Sequence, residues 1–339
     1  MKPRVLAVRQ DNNGDVLLAG PALRALACGA SHLALVCGPS GAAAAAALPG
    51  VDDVIVFEAA WIEANPRAFE RADVDAFVDR VAAVRADEAV VFTSFHQSPL
   101  PAALLLRMAG VRRIAAISED YPGGLLDVRH RDVPDDAHEV ERALSLARAA
   151  GFAPPPHDEG RLAMRVAGVN PAAGAPYVVV HPGCTVPARA WSPRANRDLV
   201  VALAARGERV VVTGGPSERE LCAFVAGGEA ENLAGVTDFT TLARVIADAD
   251  ALVVGNTGAA HVAAAVGTPV VSLFPPTIPA SRFRPWMVPH VLLGDQDIAC
   301  RGCRARVCPL GDQPCLSVVT VEDVLRALAS VRARREAVV

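Results

Sequence analysis

The sequence predicts an α/β protein with two domains, each built on a parallel β-sheet, and three observations support this prediction. Short runs rich in β-branched residues alternate with longer helical patterns along the chain, which is typical of parallel sheets. The strand-like runs lack a clean apolar–polar alternation, as expected where helices cover both faces of a sheet. A stretch rich in proline and glycine interrupts the pattern near the middle of the chain, which then restarts, and this indicates a linker between two domains.

Length and composition agree with this prediction and exclude several other classes of protein. The chain has 339 residues, of which 52% are hydrophobic, and its net charge is −4. No basic stripe is present that would neutralise nucleic-acid phosphates. No apolar run reaches the roughly 18 to 20 residues of a membrane span, and the segment Met1–Arg9 is not followed by a signal-peptide core. We therefore expect a cytoplasmic monomer without a transmembrane segment or nucleic-acid partner; peripheral association with the inner face of the membrane stays open.

The first half of the chain contains the elements of one domain. The predicted strands are Arg4–Val8, His32–Cys37, Asp53–Phe57, Ala89–Thr93 and Arg113–Ile117. The predicted helices are Pro21–Cys28, Pro66–Ala86, Pro99–Ala109 and about Asp136–Ala150. Because the prolines that follow cannot continue either regular structure, we predict a first domain at 1–155 and a linker at 156–176.

The second half repeats the pattern. The predicted strands are Tyr177–His181, Arg209–Thr213, Ala251–Val254, Pro269–Phe274 and His290–Leu293. The predicted helices are Pro193–Arg206, Pro216–Ala226, Phe239–Ala249, Gly258–Val266 and, after a second domain at 177–320, Val321–Arg335 within the C-terminal segment 321–339. Two similar halves indicate two Rossmann-like domains that face each other across a cleft, with ligands at the carboxyl ends of the strands.

A loop with candidate catalytic residues follows the first predicted strand. It runs from Gln10 to Leu18, and Gly14 allows a tight turn directly before Asp15. Asp15 is placed either to cap the helix that follows or to act as a general base at the carboxyl end of a strand. The spacing alone favours the capping role.

Two loops of the second half resemble anion-binding loops. The segment His181–Trp191 follows a strand and contains small and hydroxyl residues, among them Thr185, together with the fixed charge of Arg189. Another strand ends at Gly214, and Glu218 lies in the first turn of the helix that follows. Glu218 could accept hydrogen bonds from ribose hydroxyls or could simply complement the helix dipole.

The segment from Val253 to Val271 carries the strongest signal. A strand runs through a turn of small residues, Asn256-Thr257-Gly258, into a helix that contains His261. Unpaired N–H groups at the helix start, together with the helix dipole, form an anion site that needs no metal. The turn lacks the Gly-Lys-Ser/Thr ending of a P-loop, and no Gly-x-Gly-x-x-Gly follows the first strand, which disfavours a dehydrogenase.

Four of the eight cysteines cluster near the C-terminus, as Cys300, Cys303, Cys308 and Cys315. Four thiolates can bind zinc tetrahedrally, and Cys-x-x-Cys is the usual first half of such a site. The six-residue spacing of the second pair is looser than in a standard zinc knuckle. A structural metal, disulfides and free thiols are therefore all left open, and a catalytic metal is not expected.

Taken in order, these segments resemble glycosyltransferase family 9, the group that contains the lipopolysaccharide heptosyltransferases, over nearly the whole chain. The matching motifs are Gly14-Asp15-Val16 with Pro21-Ala22-Leu23, His181-Pro182-Gly183 with Arg189-Ala190-Trp191, Asn256-Thr257-Gly258 with His261 and Ala265, and the segment 92–99. The resemblance implies a GT-B fold, with the last helix crossing back to the N-terminal domain. It also implies a metal-independent, inverting transfer of a heptose or similar sugar from ADP-heptose or a related nucleotide sugar.

The resemblance also assigns roles to particular residues. It implies that Asp15 is the general base, which reverses the preference for capping given by spacing alone. The implied donor-binding residues are Thr185, Arg189, Gly214, Glu218, Asn256, Thr257, Gly258 and His261. Arg189 replaces a lysine and Asn256 replaces an aspartate of typical members. The acceptor residues are expected in the N-terminal domain at Asn13, Ser94, His96 and Gln97.

The acceptor itself is expected to be a glycan, a lipid-linked core sugar or a small molecule that offers a hydroxyl. Two alternatives remain at this point. One is a sugar-nucleotide epimerase of the same GT-B fold, and the other is an inactive nucleotide-sugar-binding protein. A phosphorylase is disfavoured because the chain is nearly devoid of lysine, which such enzymes need to bind pyridoxal phosphate.

Overall fold

The computed structural model describes residues 1–63 and 65–336 and divides the chain into two compact units, Met1–Met164 and Arg165–Val339. The division falls inside the segment 156–176 that the sequence predicts as a linker. Each unit contains one six-stranded sheet in which all neighbouring strands are parallel. The α/β class with two parallel sheets is therefore confirmed.

In the first unit, the strands have the order β3-β2-β1-β4-β5-β6. They are β1 Arg4–Arg9, β2 His32–Cys37, β3 Asp53–Val56, β4 Glu88–Val91, β5 Arg113–Ile117 and β6 Val128–His130. The helices are α1 Asn13–Leu18, α2 Gly20–Gly29, α3 Ala42–Ala47, α4 Arg71–Val84, α5 Leu100–Met108 and α6 Glu139–Ala149.

Helices cover both faces of this sheet. Leu6 and Val8 of β1 pack in one core with Phe77 of α4 and Leu106 of α5. Val5, which points to the opposite face of the strand, is also fully buried, and α2 and α6 pack on that side of the sheet and on each other. Burial on both faces explains why the strand shows no alternation of apolar and polar residues.

In the second unit, the strands have the order β12-β11-β10-β7-β8-β9. They are β7 Tyr177–His181, β8 Arg209–Val212, β9 Glu231–Asn232, β10 Ala251–Gly255, β11 Val270–Leu273 and β12 His290–Leu293. The helices are α7 Pro193–Ala204, α8 Arg219–Ala226, α9 Phe239–Ala247, α10 Gly258–Val266, α11 Ala280–Phe283, α12 Pro314–Ser317 and α13 Val321–Glu336.

The two sheets share one topology. If the strands of each unit are numbered 1 to 6 along the chain, both sheets have the order 3-2-1-4-5-6. The direction of winding therefore reverses between β1 and β4 in the first unit and between β7 and β10 in the second. In sheets of this type, ligands bind outside the carboxyl ends of the strands at that reversal.

Helix α13 packs in the core of the second unit. Its residues Leu328 and Val331 belong to the same buried cluster as Val178 and Val180 of β7 and Leu199 of α7, and it also contacts β10, β11 and β12. These contacts anchor α13 in the second unit, and its expected packing against the N-terminal domain stays a prediction. Within the described residues, no helix is both long and apolar enough to cross a membrane.

Local capping interactions explain where several helices begin. The hydroxyl of Ser192 accepts a hydrogen bond from the backbone N–H of Ala195 at the start of α7 (3.1 Å), and Asp238 does the same for Thr241 at the start of α9 (2.7 Å). Such bonds satisfy N–H groups that have no partner inside the helix. Helix α10 ends at Gly267, whose φ of 82° is readily adopted by glycine.

Candidate active site

The winding reversal of the first unit places two loops side by side. One loop follows β1 and leads into α1, and the other follows β4 at residues 92–99. Together they carry Asp15 and the four residues that the sequence assigns to the acceptor. The structure brings three of these five side chains into one hydrogen-bonded network: Asp15, Ser94 and Gln97.

A buried arginine holds this network together. Arg9, the last residue of β1, is 3% exposed. Its Nη2 donates to Oδ1 of Asp15 (3.2 Å) and to the hydroxyl of Ser94 (3.1 Å). Its Nε lies 3.0 Å from Oδ2 of Asp11, and its Nη2 lies 3.7 Å from Oε2 of Glu139. One guanidinium therefore faces three carboxyl groups.

Gln97 connects the two loops. Its Nε2 donates to Oδ1 of Asp11 (2.6 Å), and its Oε1 accepts from the backbone N–H of Ser94 (2.9 Å). The other two predicted acceptor residues lie differently. The side-chain oxygen of Asn13 accepts from the backbone N–H of Ala44 (2.9 Å) and so fixes α3, and His96 is exposed with its ring against Phe95.

The position and the pKa of Asp15 bear on its predicted role as a general base. It is the third residue of α1, and the N-cap position belongs to Asn12, so Asp15 does not cap this helix as the N-cap residue. The pKa of Asp15 is raised to about 6, chiefly because burial disfavours the carboxylate; Asp11 and Glu139 act in the same direction, and Arg9 acts against them. A carboxylate with a pKa near 6 is ionised at neutral pH and is basic enough to accept a proton from a reacting hydroxyl group.

At the winding reversal of the second unit, the loop after β7 closely approaches the end of β10. A Cβ atom on Gly255, the last residue of β10, would lie 2.6 Å from Sγ of Cys184 and 2.8 Å from the carbonyl oxygen of Arg189. The loop after β7 therefore rests directly on the end of β10, and only glycine leaves room for it. Cys184 also donates to the Arg189 carbonyl (3.4 Å), and burial raises its pKa to about 12.

The start of α10 meets this loop at the same edge of the sheet. Thr257 is the N-cap residue, and its side chain makes no capping hydrogen bond, so the first N–H groups of the helix are not satisfied by it. Asn256 and His261 are each 5% exposed, and Nδ2 of Asn256 has no hydrogen-bond partner among the described residues. A helix start with an unused amide donor is suited to bind an anion.

Glu218 lies between the loops that follow β7 and β8. Its Oε2 accepts from the backbone N–H of Gly215 (2.7 Å), and its carboxylate packs against Gly183 and Gly214, where a side chain would collide with it. Glu218 therefore closes the first turn before α8 and at the same time lies next to the predicted donor loop. Nearby, Nδ1 of His181 pairs with the Thr213 hydroxyl (3.0 Å), and burial lowers the pKa of His181, which keeps its imidazole neutral.

Thr185 is exposed in the same loop. Arg189 ends a short 3-10 turn at Pro187–Arg189. All eight predicted donor residues therefore lie in loops or helix starts at the carboxyl edge of the second sheet.

The four clustered cysteines are free thiols in the structure; Cys300 and Cys303 are exposed and Cys315 is buried. Among residues 1–63 and 65–336, no group of three or more histidine, cysteine, aspartate or glutamate side chains is placed to hold a metal ion. The disulfide hypothesis is thus not supported by the structure, and neither is the hypothesis of a preformed metal site. Burial raises the pKa of Cys315, so its thiol stays protonated at neutral pH.

The cysteine-rich segment, residues 300–315, instead supports the loops at the carboxyl edge of the second sheet. The carbonyl of Arg306 accepts from the backbone N–H of Ala188 (3.0 Å), and Nε2 of Gln313 donates to the carbonyl of Pro187 (2.8 Å). The backbone N–H of Gly302 donates to Pro276 (2.7 Å) in the loop after β11. The segment therefore joins two loops of the carboxyl edge.

A cavity of about 670 Å³ lies elsewhere in the second unit. It is lined by residues at or just before the starts of strands, such as Tyr177 of β7 and Arg209 of β8, and by Arg332 and Arg335 of α13. These residues are at the amino edge of the sheet, opposite to the loops described above. Cavity size alone thus does not identify the site in this protein.

Two residues that contribute to the network around Asp15 could not be predicted from the sequence. Arg9 reads as the polar end of a strand, and Glu139 reads as an acidic residue in the first turn of a helix, where such residues are common. Both are nevertheless 3% exposed. Their contact joins residues about 130 positions apart in the chain, and no local pattern encodes it.

Two parallel sheets of this topology form the architecture of the GT-B fold. Residues 84–313 match the model of glycosyltransferase family 9 (heptosyltransferase). This range covers more than half of the chain, and the protein belongs to glycosyltransferase family 9.

Individual relatives agree with this membership. A lipopolysaccharide heptosyltransferase 1 of Pseudomonas aeruginosa is 32% identical over 222 residues, which are 62% of this chain and 61% of the relative. The aligned part is thus less than two thirds of that relative. The solved ADP-heptose heptosyltransferase II of Escherichia coli superposes with a TM-score of 0.74 at 21% identity, over 98% of this chain and 99% of that one.

An Escherichia coli heptosyltransferase solved with ADP-2-deoxy-2-fluoro heptose superposes with a TM-score of 0.73 at 22% identity, over 95% of this chain and 98% of that one. At these identities, the solved structures establish the fold, and the heptosyltransferase-type GT-B fold is confirmed.

Proposed function

We propose that this protein is a heptosyltransferase that moves a heptose from ADP-heptose, or a closely related nucleotide sugar, to a hydroxyl group of a lipopolysaccharide core sugar. The observation that carries the proposal is Asp15, a carboxylate with a raised pKa at the winding reversal of the first sheet. The anion-binding helix start of the second sheet complements it. The names of the relatives, lipopolysaccharide heptosyltransferase 1 and ADP-heptose heptosyltransferase II, supply the sugar, the nucleotide and the class of acceptor.

The proposed reaction is a single displacement with inversion. The acceptor hydroxyl loses its proton to Asp15, and the hydroxyl oxygen attacks the anomeric carbon of the donor in line with the leaving group. The bond between the anomeric carbon and the β-phosphate oxygen breaks, and its electron pair leaves with the nucleoside diphosphate. A base whose pKa lies near the working pH contributes about 10²- to 10⁴-fold to such a step.

The second unit is proposed to stabilise the leaving diphosphate without a metal ion. The N–H groups at the start of α10 and the guanidinium of Arg189 supply positive charge where negative charge develops. The unused Nδ2 of Asn256 adds a hydrogen-bond donor, and His261 and Thr257 lie in the same turn. Thr185, Gly214 and Glu218 are proposed to line the rest of the donor site, and Ser94 and Gln97 the acceptor site.

A binding and turnover assay with three variants tests this proposal. ADP-heptose should bind more tightly than GDP- or UDP-sugars, and transfer should continue in EDTA and yield the inverted anomer by NMR. Asp15→Ala should lower turnover at least about 100-fold with nearly unchanged donor affinity, whereas Arg189→Ala and His261→Ala should mainly weaken donor binding.

Asp73→Ala, which changes an exposed aspartate in the first turn of α4, is the matched control and should behave like wild type. Near-normal turnover of Asp15→Ala would refute the assignment of the base. Unchanged nucleotide affinity in both Arg189→Ala and His261→Ala would refute the donor site. Neither a sugar-nucleotide epimerase nor an inactive binding protein is favoured by the family membership, and observed transfer would exclude both.

A further inference from the structure

The charged cluster around Arg9 contains more groups than the proposed reaction uses. Arg9 comes from β1, Asp11 and Asp15 come from the loop and helix that follow, and Glu139 comes from α6. Side-chain exposure is 4% for Arg9, 9% for Asp11 and 3% for Glu139, but 20% for Asp15. Asp15 is thus the most accessible member of the cluster and the one that can exchange a proton with a bound hydroxyl.

The charge balance of the cluster matters for that exchange. With all groups ionised, three carboxylates and one guanidinium leave a net charge of −2 in a buried site. Burial makes such an excess costly, and carboxylates that share a site raise one another's affinity for protons. The guanidinium limits this effect, because it contacts Asp15 at 3.2 Å and lies 3.7 Å from Glu139.

Helices α2, α3 and α6 pack on α1 and differ in the charges that they carry. Helix α3 consists only of alanine. The charged residue of α2, Arg24, is paired with Asp158 (2.6 Å). On α6, Glu141 accepts from the backbone N–H of His138 (3.2 Å) and so caps its own helix, and the same helix carries Arg142 and Arg148. The charged groups that act on the pKa of Asp15 are Asp11, Arg9 and Glu139.

We propose that Arg9 and Glu139 are positioning residues for the base: Arg9 orients the Asp15 carboxylate, and Glu139 tunes its affinity for the proton. Arg9 binds Oδ1 of Asp15, which leaves Oδ2 to receive the proton of the acceptor hydroxyl. Glu139 acts through space by adding negative charge near the same guanidinium nitrogen, Nη2, that contacts Asp15. This inference rests on the proposed function, because it assumes that Asp15 is the base.

The pH dependence of kcat/KM tests the role of Glu139. Wild type should lose activity below about pH 6, where Asp15 becomes protonated. Glu139→Gln keeps the size and removes the charge, so the acidic limb should move down by about one pH unit. The matched control is Asp136→Asn, an exposed aspartate three residues earlier, which should leave the limb in place.

Two further variants test the role of Arg9. Arg9→Met should move the acidic limb upward and lower the plateau of kcat, because both the charge and the orientation of Asp15 are lost. Arg9→Lys should restore the position of the limb but only part of the plateau, because an ammonium cannot reproduce the two-nitrogen contact of the guanidinium. Donor affinity, measured with ADP, should stay within about 2-fold in all four variants. A thermal unfolding transition like that of wild type shows that the first unit of each variant folds.

The outcomes separate the two proposals. If Asp15→Ala keeps its turnover, the proposed base is wrong. If Asp15→Ala is inactive but the acidic limbs of Glu139→Gln and Arg9→Met coincide with that of wild type, Asp15 is the base and the positioning roles are wrong. If Glu139→Gln lacks a wild-type unfolding transition because it does not fold, the shift of the acidic limb in Arg9→Met against Arg9→Lys decides the question alone.

Discussion

At the residue scale, Asp15 combines a functional property with a cost in stability. Its pKa of about 6 in the folded protein compares with about 3.9 for an unfolded aspartate. Between these values, the folded protein binds more protons than the unfolded chain, so stability falls as the pH rises from about 4 to about 6. Above pH 6, the ionised carboxylate therefore destabilises the folded protein.

Asp15→Asn should consequently be more stable than wild type at pH 8, because the amide carries no charge into the buried cluster. We expect its melting temperature to rise by about 2 to 4 °C, the shift that about one kcal/mol produces in a unit of this size, and the difference to shrink at pH 4.5. Thermal unfolding at both pH values measures it, with the exposed Asp73→Asn as the control. An equal shift at both pH values, or a lower melting temperature at pH 8, would contradict the raised pKa.

The residues of the candidate site divide by the range of their interactions. Asp15, Asn256 and His261 are recognisable in the sequence because each follows a strand and lies in a turn of small residues. Arg9 and Glu139 are not, because their roles depend on each other across the chain. Local patterns in the sequence therefore indicate candidate residues at the strand ends, but they do not indicate contacts between residues far apart in the chain.

At the element scale, the cysteine-rich segment supports the proposed donor loop, which is the loop after β7 that contains Arg189, through a side chain and through the backbone. Gln313 has a φ of 49°, and its amide donates to the carbonyl of Pro187, two residues before Arg189. Gln313→Asn suits the same left-handed backbone but is one methylene shorter. We expect its affinity for ADP to fall about 5-fold, the equivalent of one hydrogen bond of about 1 kcal/mol.

Isothermal titration with ADP measures this difference. The control is Asp312→Asn, which changes the neighbouring exposed residue and should bind ADP like wild type. Wild-type affinity in Gln313→Asn would show that the donor loop does not depend on this contact, and an equal loss in both variants would point to a general disturbance of the segment.

The elements themselves were predictable to different degrees. The strands with continuous apolar runs, such as β1 and β7, were predicted to within a residue or so. The edge strands β6 and β9 were missed, because each has only two or three residues and a polar sequence. Helix α4 begins at Arg71, whereas the sequence-based prediction began it at Pro66; residues 65–70 are not helical. The buried residues of this helix are Phe77 and Val81, which lie well after Pro66.

At the scale of the whole molecule, the roles of the two units can be separated by nucleotide binding. Addition of ADP should slow amide hydrogen exchange in the segments 183–189, 214–218 and 256–261, because the diphosphate binds their backbone N–H groups. Segments 11–15 and 94–97 should respond less. Exchange measured by mass spectrometry tests this expectation, with adenosine as the control ligand because it lacks the diphosphate; protection confined to residues 1–164 would contradict it.

The shared strand order of the two sheets has an evolutionary consequence. A half-chain that folds in this order makes one binding edge, and joining two such halves provides two edges at once, each framed by its own backbone hydrogen bonds. Substitutions in the loops of one sheet leave the frame of the other intact. On the proposed function, preferences for the sugar donor and for the acceptor should therefore diverge separately within such a lineage, and loops exchanged between family members should transfer one preference without the other.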